Sequence, residues 1–306
     1  MSAVMAPSAR FRCVHCGGDV PIASADVSPL RCPACNASFA VDAGVIELTS
    51  TSDDRDYPEA LIDLVADVEQ RHFWFAARND VILSTTRRVI GTLTGKRLLD
   101  IGCGTGFVLS ALERAGLDGC GIDMHRAALR RARARVRGPL FWSNATALPF
   151  FPDFDIVTLF DVIEHVDDDV SVLRQARGVL TPTGFVVVTV PAGPTLWTAY
   201  DEVIGHKRRY ERDGLAEALT QSGFEVCAIE YFNCLPLLAL TLQRRLTSTS
   251  PQAGDAVEVV RRALRVPPEP INALLRLLIR AEAPLRSLQW VRGGSLIAVA
   301  RRSGRA

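Results

Sequence analysis

A glycine-rich segment at residues 96–107, K-R-L-L-D-I-G-C-G-T-G-F, constrains the fold more than any other part of the 306-residue chain. Leu98, Leu99 and Ile101 form an apolar run that predicts a buried strand, and the pattern after the glycines predicts a helix. A strand, a glycine turn and a helix N-terminus together present backbone N–H groups to a nucleotide-like ligand. Asp100 falls at the carboxyl end of the strand, where open α/β sheets bind ligands.

The spacing of the glycines distinguishes two kinds of nucleotide site. Gly102, Gly104 and Gly106 form G-x-G-x-G, whereas dinucleotide folds carry G-x-G-x-x-G, so a nicotinamide dehydrogenase is disfavoured. A tight turn that binds nothing is the alternative interpretation. The next predicted strand, at 120–122, ends in Asp123, about 20 residues beyond the glycines, where a carboxylate can accept both ribose hydroxyls.

Five more segments are predicted to be strands, at 140–142, 156–160, 185–190, 225–232 and 295–301. Helical patterns separate most of them, which is typical of α/β folds. The helix after the fourth strand is predicted to be capped by Asp167.

In order and spacing these segments closely resemble the class I S-adenosylmethionine-dependent methyltransferases, over roughly residues 73–301. L-L-D-I-G-C-G-T-G and D-V-I-E-H are the best matches. The resemblance implies a Rossmann-like α/β fold with a doubly wound, seven-stranded, mostly parallel sheet. It also implies S-adenosylmethionine as cofactor, held by Arg78, Asp100, Gly102, Cys103, Gly104, Gly106, Asp123, Met124, Asn144, Ala145 and Asp161.

Two of these positions call for particular chemistry. Asn144 stands where the family often has Asp, and its amide carbonyl can still accept a hydrogen bond from the adenine amine. Arg78 follows an H-F-W-F segment at 72–75 and is expected to pair with the methionine carboxylate of the cofactor. The aromatic segment itself is predicted either to pack the preceding helix on the sheet or to form a lid over the cleft.

Two cysteine pairs near the N-terminus, Cys13-x2-Cys16 and Cys32-x2-Cys35, predict a structural zinc site, because two tight turns bring four thiolates together. A unit of about 40 residues has too little core to fold alone. Four unrelated cysteines or a redox C-x-x-C are the alternatives. The segment resembles zinc ribbons that precede the methyltransferase domain in some ribosomal RNA guanine methyltransferases, with F-A-V-D-A-G-V-I-E-L as its last strands.

The predicted domains are a zinc ribbon at 1–50, a linker and lead-in helix at 51–72, and a methyltransferase domain at 73–306 with a helical insert at 233–294 before the last strand. We expect Cys32→Ser to unfold the ribbon and to leave cofactor binding intact. Leucine-rich runs in the insert predict either a helical pair packed on the sheet or a groove for an amphiphile.

Charge and hydropathy limit the partners. The net charge of +1 gives no broad footprint for nucleic acid, and no DNA binding is expected. An arginine-rich helix at 125–138 is predicted to be a solvated face, with an RNA-binding patch as the alternative. The start of the chain carries no signal-peptide pattern, so a cytoplasmic protein is expected, with peripheral contact to the inner membrane face through 235–292 as an option.

Methyl transfer is an in-line displacement, and it requires a base only if the acceptor loses a proton. His165 and His206 follow the fourth and fifth strands and are the candidate bases, although a lone histidine is more often structural. The leading hypothesis is methyl transfer to a small-molecule or lipid- or glycan-linked acceptor. An RNA methyltransferase and a non-catalytic scaffold are the alternatives.

Overall fold

The structure, a computed structural model, describes residues 10–22, 29–49, 58–235, 256–283 and 292–304. The strands in these ranges are β1 (Arg10–Arg12), β2 (Asp19–Pro21), β3 (Leu30–Arg31), β4 (Ser38–Phe39), β5 (Val41–Asp42), β6 (Val45–Glu47), β7 (Arg97–Ile101), β8 (Asp118–Asp123), β9 (Leu140–Trp142), β10 (Phe154–Phe160), β11 (Leu180–Pro191), β12 (Phe224–Phe232) and β13 (Ser295–Arg302). The α-helices are α1 (Glu59–Val68), α2 (Phe73–Ile90), α3 (Phe107–Arg114), α4 (Arg126–Arg133), α5 (Asp169–Val179), α6 (Ala199–Val203), α7 (Arg212–Gln221), α8 (Ala256–Ala263) and α9 (Glu269–Ala281).

The central sheet confirms the predicted fold class. Its strand order is β12-β13-β11-β10-β7-β8-β9-β6-β5, and the seven predicted strands are β7 to β13. β13 is antiparallel to both of its neighbours, and β7 to β11 are parallel to one another. The chain order of the strands reverses between β7 and β10, so the cleft at their carboxyl ends is the expected ligand site of such a sheet.

The cysteine-rich segment contributes two strands to this sheet. β1 pairs with β2 and β3 with β4 in small antiparallel hairpins. The F-A-V-D-A-G-V-I-E-L segment, which was predicted to close the ribbon, instead forms the β5–β6 hairpin, and β6 pairs in parallel with β9. The sheet therefore has nine strands, because β6 satisfies backbone groups that an edge strand at β9 would leave unpaired.

Alternate residues of the central strands point to opposite faces, and each face packs into its own apolar core. Leu98 belongs to one core and Leu99 to the other. A third apolar cluster lies away from the sheet and joins α1, α6 and α8 through Leu61, Val68, Ile204, Val260 and Leu264. We call these three helices the roof, because residues of all three line the cavity described below.

Several local predictions differ from the structure. Asp168, not Asp167, caps α5, since its carboxylate accepts from the Ser171 N–H at 2.8 Å. The H-F-W-F segment begins α2, with His72 as its N-cap. α8 was not predicted.

The leucine-rich runs of the insert lie partly outside the described residues, at 236–255 and 284–291. The part that is described is α9, on which Ile271, Leu274 and Leu277 are exposed. Among the described residues, no helix combines the length and the apolar character that a membrane span requires.

Candidate active site

The glycine turn forms one wall of a cleft at the carboxyl ends of β7 and β8. Gly102 has φ +71° and a Cβ there would lie 2.5 Å from Val162 Cγ2, so packing excludes a side chain. Gly104 has φ +52°, and no heavy atom lies within 4 Å of the position that a Cβ would take. That open space allows a ligand to approach the backbone, which is the role predicted for the turn.

Asp123, at the end of β8, lies against this turn as predicted. Its carboxylate accepts hydrogen bonds from the N–H groups of Gly104 and His125, both at 2.8 Å. The side chain is buried, and burial raises its pKa. Each carboxylate oxygen has a second lone pair, so the group retains capacity to accept ribose hydroxyls.

Asp100 lies at the bottom of the cleft. Its carboxylate accepts a 2.6 Å hydrogen bond from the Thr158 hydroxyl, and burial raises its pKa to about 7. Cys103 has a buried thiol whose pKa is raised by burial. The thiol fills the space beside Gly121, where a Cβ would lie 2.7 Å from the sulfur, so Cys103 can offer the cleft only its backbone.

Arg78 projects from α2 into the same cleft. Its guanidinium pairs with Asp161 at 2.7 Å and donates to Thr189 at 3.1 Å. Among the described residues its buried Nε has no hydrogen-bond partner. An unpaired donor on a buried guanidinium is costly, so the site is suited to receive an anionic group such as a carboxylate.

Asn144, Ala145 and Met124, which were predicted to hold the cofactor, also line the cleft. The Asn144 carbonyl accepts from the Thr146 N–H at 3.0 Å and from its hydroxyl at 2.7 Å. The Trp142 indole donates to the Met124 carbonyl at 2.8 Å and so connects the ends of β8 and β9.

The two candidate histidines lie next to each other in the same cleft. The ring centroids of His165 and His206 are 4.8 Å apart. Burial lowers the pKa of His165 to about 4, so its imidazole is neutral at physiological pH. The two histidines and Glu164 offer ligand-type atoms within 4.8 Å of one another.

His206 differs from His165 because a buried carboxylate orients it. Its Nδ1 lies 2.8 Å from Asp201 Oδ1, and Arg209 donates to the same carboxylate at 2.7 Å. Burial would raise the pKa of Asp201, but hydrogen bonds from His206 and Arg209 outweigh it and hold the pKa below its ordinary value. An ionised Asp201 only accepts, so Nδ1 carries the proton and Nε2 is the free acceptor.

Glu164 is fully buried next to these groups. Among the described residues, neither of its carboxylate oxygens has a hydrogen-bond partner, and His206 Nε2 lies 3.8 Å away. Burial raises the pKa of Glu164 well above its ordinary value. The sequence analysis assigned no role to Asp201, and it included Glu164 only as part of the D-V-I-E-H motif.

A third feature that sequence reasoning missed holds the glycine turn in place. Glu69, just after α1, accepts from the Thr105 hydroxyl at 2.7 Å and pairs with Arg135. Thr105 lies between Gly104 and Gly106, so the contact ties the lead-in helix to the centre of the turn. No sequence pattern indicated the contact between Glu69 and Thr105, because the two residues are 36 positions apart.

One cavity has a volume of about 1480 Å³. Its lining includes Asn144, the glycine turn, Arg78, Glu164 and both histidines, together with residues of the roof. Ligand pockets for a single small molecule occupy roughly 300–1,000 Å³. The cavity is therefore large enough for a nucleoside-sized cofactor and a second molecule.

The four N-terminal cysteines form a separate site, and their sulfurs lie within 4.8 Å of one another. Sγ–Sγ distances of 3.6 Å separate Cys13 from Cys35 and Cys16 from Cys32. A tetrahedral zinc site with Zn–S bonds of about 2.3 Å places thiolates roughly 3.8 Å apart. The cysteine cluster therefore fits a structural zinc ion.

A family model described as "Methyltransferase domain" matches residues 69–229, more than half of the chain. The ubiquinone biosynthesis O-methyltransferase of Bordetella avium is 33% identical over 117 residues, which cover 36% of this chain and 48% of that protein. A Mycolicibacterium smegmatis protein named "Probable S-adenosylmethionine-dependent methyltransferase" is 30% identical over 162 residues, 51% of this chain and 61% of that protein. The chain spans about half the length of the curated relatives that it matches.

Solved structures with the same fold carry out different reactions. The [4+2]-cyclase SpnF matches with a TM-score of 0.53 and 18% identity, covering 80% of this chain and 93% of that one. Phosphoethanolamine N-methyltransferase 2 of Haemonchus contortus, in complex with S-adenosyl-L-methionine, matches with a TM-score of 0.55 and 19% identity, covering 87% and 62%. At these identities the likeness shows the fold alone, so the acceptor has to be argued from the site.

Proposed function

We propose that this chain, which belongs to the methyltransferase domain family, is an S-adenosylmethionine-dependent enzyme. Its acceptor in this proposal is a hydroxyl group of a small or lipid- or glycan-linked molecule. The observation that carries the proposal is His206, which lines the same cavity as the glycine turn and is held by the buried Asp201 carboxylate. A histidine held with Nε2 free is suited to take the proton of a hydroxyl. The O-methyltransferase names of several relatives agree with this acceptor atom.

In this proposal the cofactor lies along the glycine turn. Asp123 accepts the ribose hydroxyls, Asn144 and Ala145 contact the adenine, and Arg78 binds the methionine carboxylate through its unpaired Nε. When bound, the cofactor supplies an electrophilic methyl group on a sulfonium. The protein's task is then to bring an acceptor oxygen into line with that methyl group and to exclude water.

The acceptor end of the cavity has the groups that this task requires. His206 takes the acceptor proton at Nε2, while Asp201 stabilises the imidazolium that forms. Burial raises the pKa of Glu164, which favours the protonated carboxyl form that can donate a hydrogen bond to an acceptor oxygen. His165, neutral at physiological pH, lies beside them as a hydrogen-bonding partner.

The apolar side chains that line the cavity favour an acceptor with an apolar part. Val65 and Val203 of the roof and Phe75 of α2 present apolar side chains to the cavity. The exposed face of α9, formed by Ile271, Leu274 and Leu277, is compatible with peripheral contact to a lipid surface. Both features support a lipid-linked acceptor over a fully polar one.

An RNA acceptor is less well supported, because the arginines in and after α4 are already paired. Each one contacts a carboxylate or a backbone carbonyl: Arg126 with Glu47, Arg130 with Asp42, Arg131 with Asp63, Arg133 with the Gly138 carbonyl, Arg135 with Glu69, and Arg137 with Glu113. These contacts join α4 to α1 and to the ribbon segment. A phosphate backbone would have to compete with them for the same guanidinium groups.

The acceptor class is tested with the methyl donor carrying a labelled methyl group. Purified protein is incubated with fractionated cell extract, and we expect label in the organic-solvent-extractable fraction, stable to mild alkali as an ether is. Label in RNA would contradict the lipid-linked proposal and favour the RNA alternative. Label in no fraction, with cofactor binding intact, would favour the scaffold alternative.

We also propose that the cysteine cluster holds one structural zinc ion on Cys13, Cys16, Cys32 and Cys35. The supporting observations are the sulfur spacing and the short hairpins, which are too small to be stable alone. We expect about one equivalent of zinc per chain in metal-replete protein, measured by elemental analysis. Less than about half an equivalent would contradict the proposal, and Cys32→Ser is expected to lose the metal.

A further inference from the structure

The cysteine-rich segment lies outside the matched family domain, yet it contacts the chain that lines the cofactor end of the cavity. β6 runs parallel to β9 with Glu47 opposite Trp142, and the Leu48 N–H donates to the Trp142 carbonyl at 3.1 Å. Directly after β9 come Ser143, Asn144, Ala145 and Thr146, which line the cavity. We call residues 143–153 the cavity-lining loop. The ribbon's last strand, β6, therefore fixes the N-terminal end of this loop.

The second end of the loop is held by the ribbon's first strand. The Arg12 N–H donates to the Pro149 carbonyl at 2.7 Å. The Arg10 guanidinium donates twice to Asp153, at 2.9 and 2.8 Å. Both guanidinium groups lie over the Phe151 ring, at 4.5 Å for Arg10 and 4.7 Å for Arg12. Such stacking contributes roughly 0.5–1 kcal/mol per pair at exposed sites.

A buried row of aromatic rings connects the two ends beneath the loop. Phe11 of β1 lies 6.0 Å from Phe141 of β9, and Phe141 lies 5.0 Å from Phe150 of the loop. Phe11 also contacts Phe39 of β4 at 4.9 Å, so both small hairpins of the ribbon take part. The loop thus packs on a core that the ribbon completes.

We propose that the ribbon is a positioning element of the cofactor site, and that zinc binding and cofactor binding are thermodynamically coupled through the loop at 143–153. The proposal rests on the cofactor placement proposed above. β1 is three residues long and leads directly into Cys13, so the zinc site determines whether Arg10, Phe11 and Arg12 stay in place. From the sequence alone we expect Cys32→Ser to leave cofactor binding intact. With the coupling, we expect Cys32→Ser to weaken it.

The coupling predicts reciprocal effects in the full-length chain. We expect chelation of zinc to weaken S-adenosylmethionine binding by about tenfold, and saturating S-adenosylmethionine to tighten zinc binding by the same factor. Isothermal calorimetry measures the first effect, and a competition titration with a chromogenic chelator measures the second. Equal cofactor affinity with and without zinc would overturn the inference. Zinc-replete protein that fails to bind the cofactor would instead contradict the proposed cofactor site.

A second variant keeps the test valid if zinc removal unfolds the whole chain. Asp153→Asn combined with Phe151→Ala removes the loop's side-chain partners for Arg10 and Arg12, and it leaves the backbone hydrogen bond to Pro149 and all four cysteines in place. We expect this variant to retain its zinc and to bind S-adenosylmethionine about fivefold more weakly. The matched control is Asp19→Asn, which removes the other carboxylate partner of Arg10, an exposed pair at 2.7 Å that does not contact the loop. Wild-type affinity in the double variant, or an equal loss in the control, would overturn the inference.

Discussion

Replacing His206 with glutamine is expected to lower kcat by about 10²–10⁴-fold, because general base catalysis contributes on that scale. Nε2 of His206 is the acceptor that Asp201 keeps free, and glutamine has no group that takes a proton at neutral pH. The measurement is the rate of label transfer to the extractable acceptor fraction at saturating cofactor. The affinity for S-adenosylmethionine is expected to stay within about twofold of wild type, because the ring nitrogens of His206 face Asp201 and Glu164 and none of the residues proposed to hold the cofactor.

His165→Gln is the matched variant for this prediction. Both histidines line the same cavity, but among the described residues only His206 has a carboxylate within hydrogen-bonding distance of its ring. Burial lowers the pKa of His165 to about 4, which makes it a poor proton acceptor. We expect less than about a tenfold loss in kcat for this variant. A larger loss in His165→Gln than in His206→Gln would assign the base to His165.

The pH profile separates a base from a residue that only shapes the site. Wild-type kcat is expected to fall at acidic pH, as it does for a reaction that depends on an unprotonated catalytic base. In His206→Gln the remaining rate is expected to rise with pH across the whole measurable range, since hydroxide or an ionised acceptor then replaces the base. A parallel pH profile in variant and wild type would mean that His206 has a structural role.

The sequence was sufficient for the parts of the fold that depend on local pattern. The strands β7 to β13 were predicted because short apolar runs bounded by turn residues carry that signal directly. The glycine turn and Asp123 were predicted because backbone approach to a ligand requires a particular residue type at a particular spacing. The cysteine pairs were recognised for the same reason, since metal ligation depends on spacing.

The contacts that complete the site were not predictable in this way, because they join elements that are distant in sequence. Glu69 reaches Thr105 only through the packing of α1 against the glycine turn. The arginines of the helix predicted as a solvated face include half-exposed side chains, and they also pair with carboxylates of the ribbon segment and the lead-in helix. Tertiary pairing of this kind leaves no periodicity in the sequence, so a pattern of residue types cannot show it.

The second large effect is expected at the cofactor end. Asp123→Ala removes the acceptor for the ribose hydroxyls and should cost about 2–3 kcal/mol of binding free energy, or roughly 30–150-fold in the dissociation constant for S-adenosylmethionine. The structure adds a second cause, because the same carboxylate holds the Gly104 N–H at 2.8 Å. Isothermal calorimetry on the folded variant measures the loss, with near-ultraviolet circular dichroism as the check on folding.

Asp123→Asn separates the two causes. Asparagine has the same shape and retains one carbonyl oxygen, which can still accept from the Gly104 N–H, but it lacks the charge and the second acceptor oxygen. If the ribose contact dominates, Asp123→Asn loses most of the affinity that Asp123→Ala loses. If the turn contact dominates, the asparagine variant stays near wild type. Wild-type affinity in both variants, or tighter binding of NAD than of S-adenosylmethionine by the wild-type protein, would contradict the placement of the cofactor at Asp123.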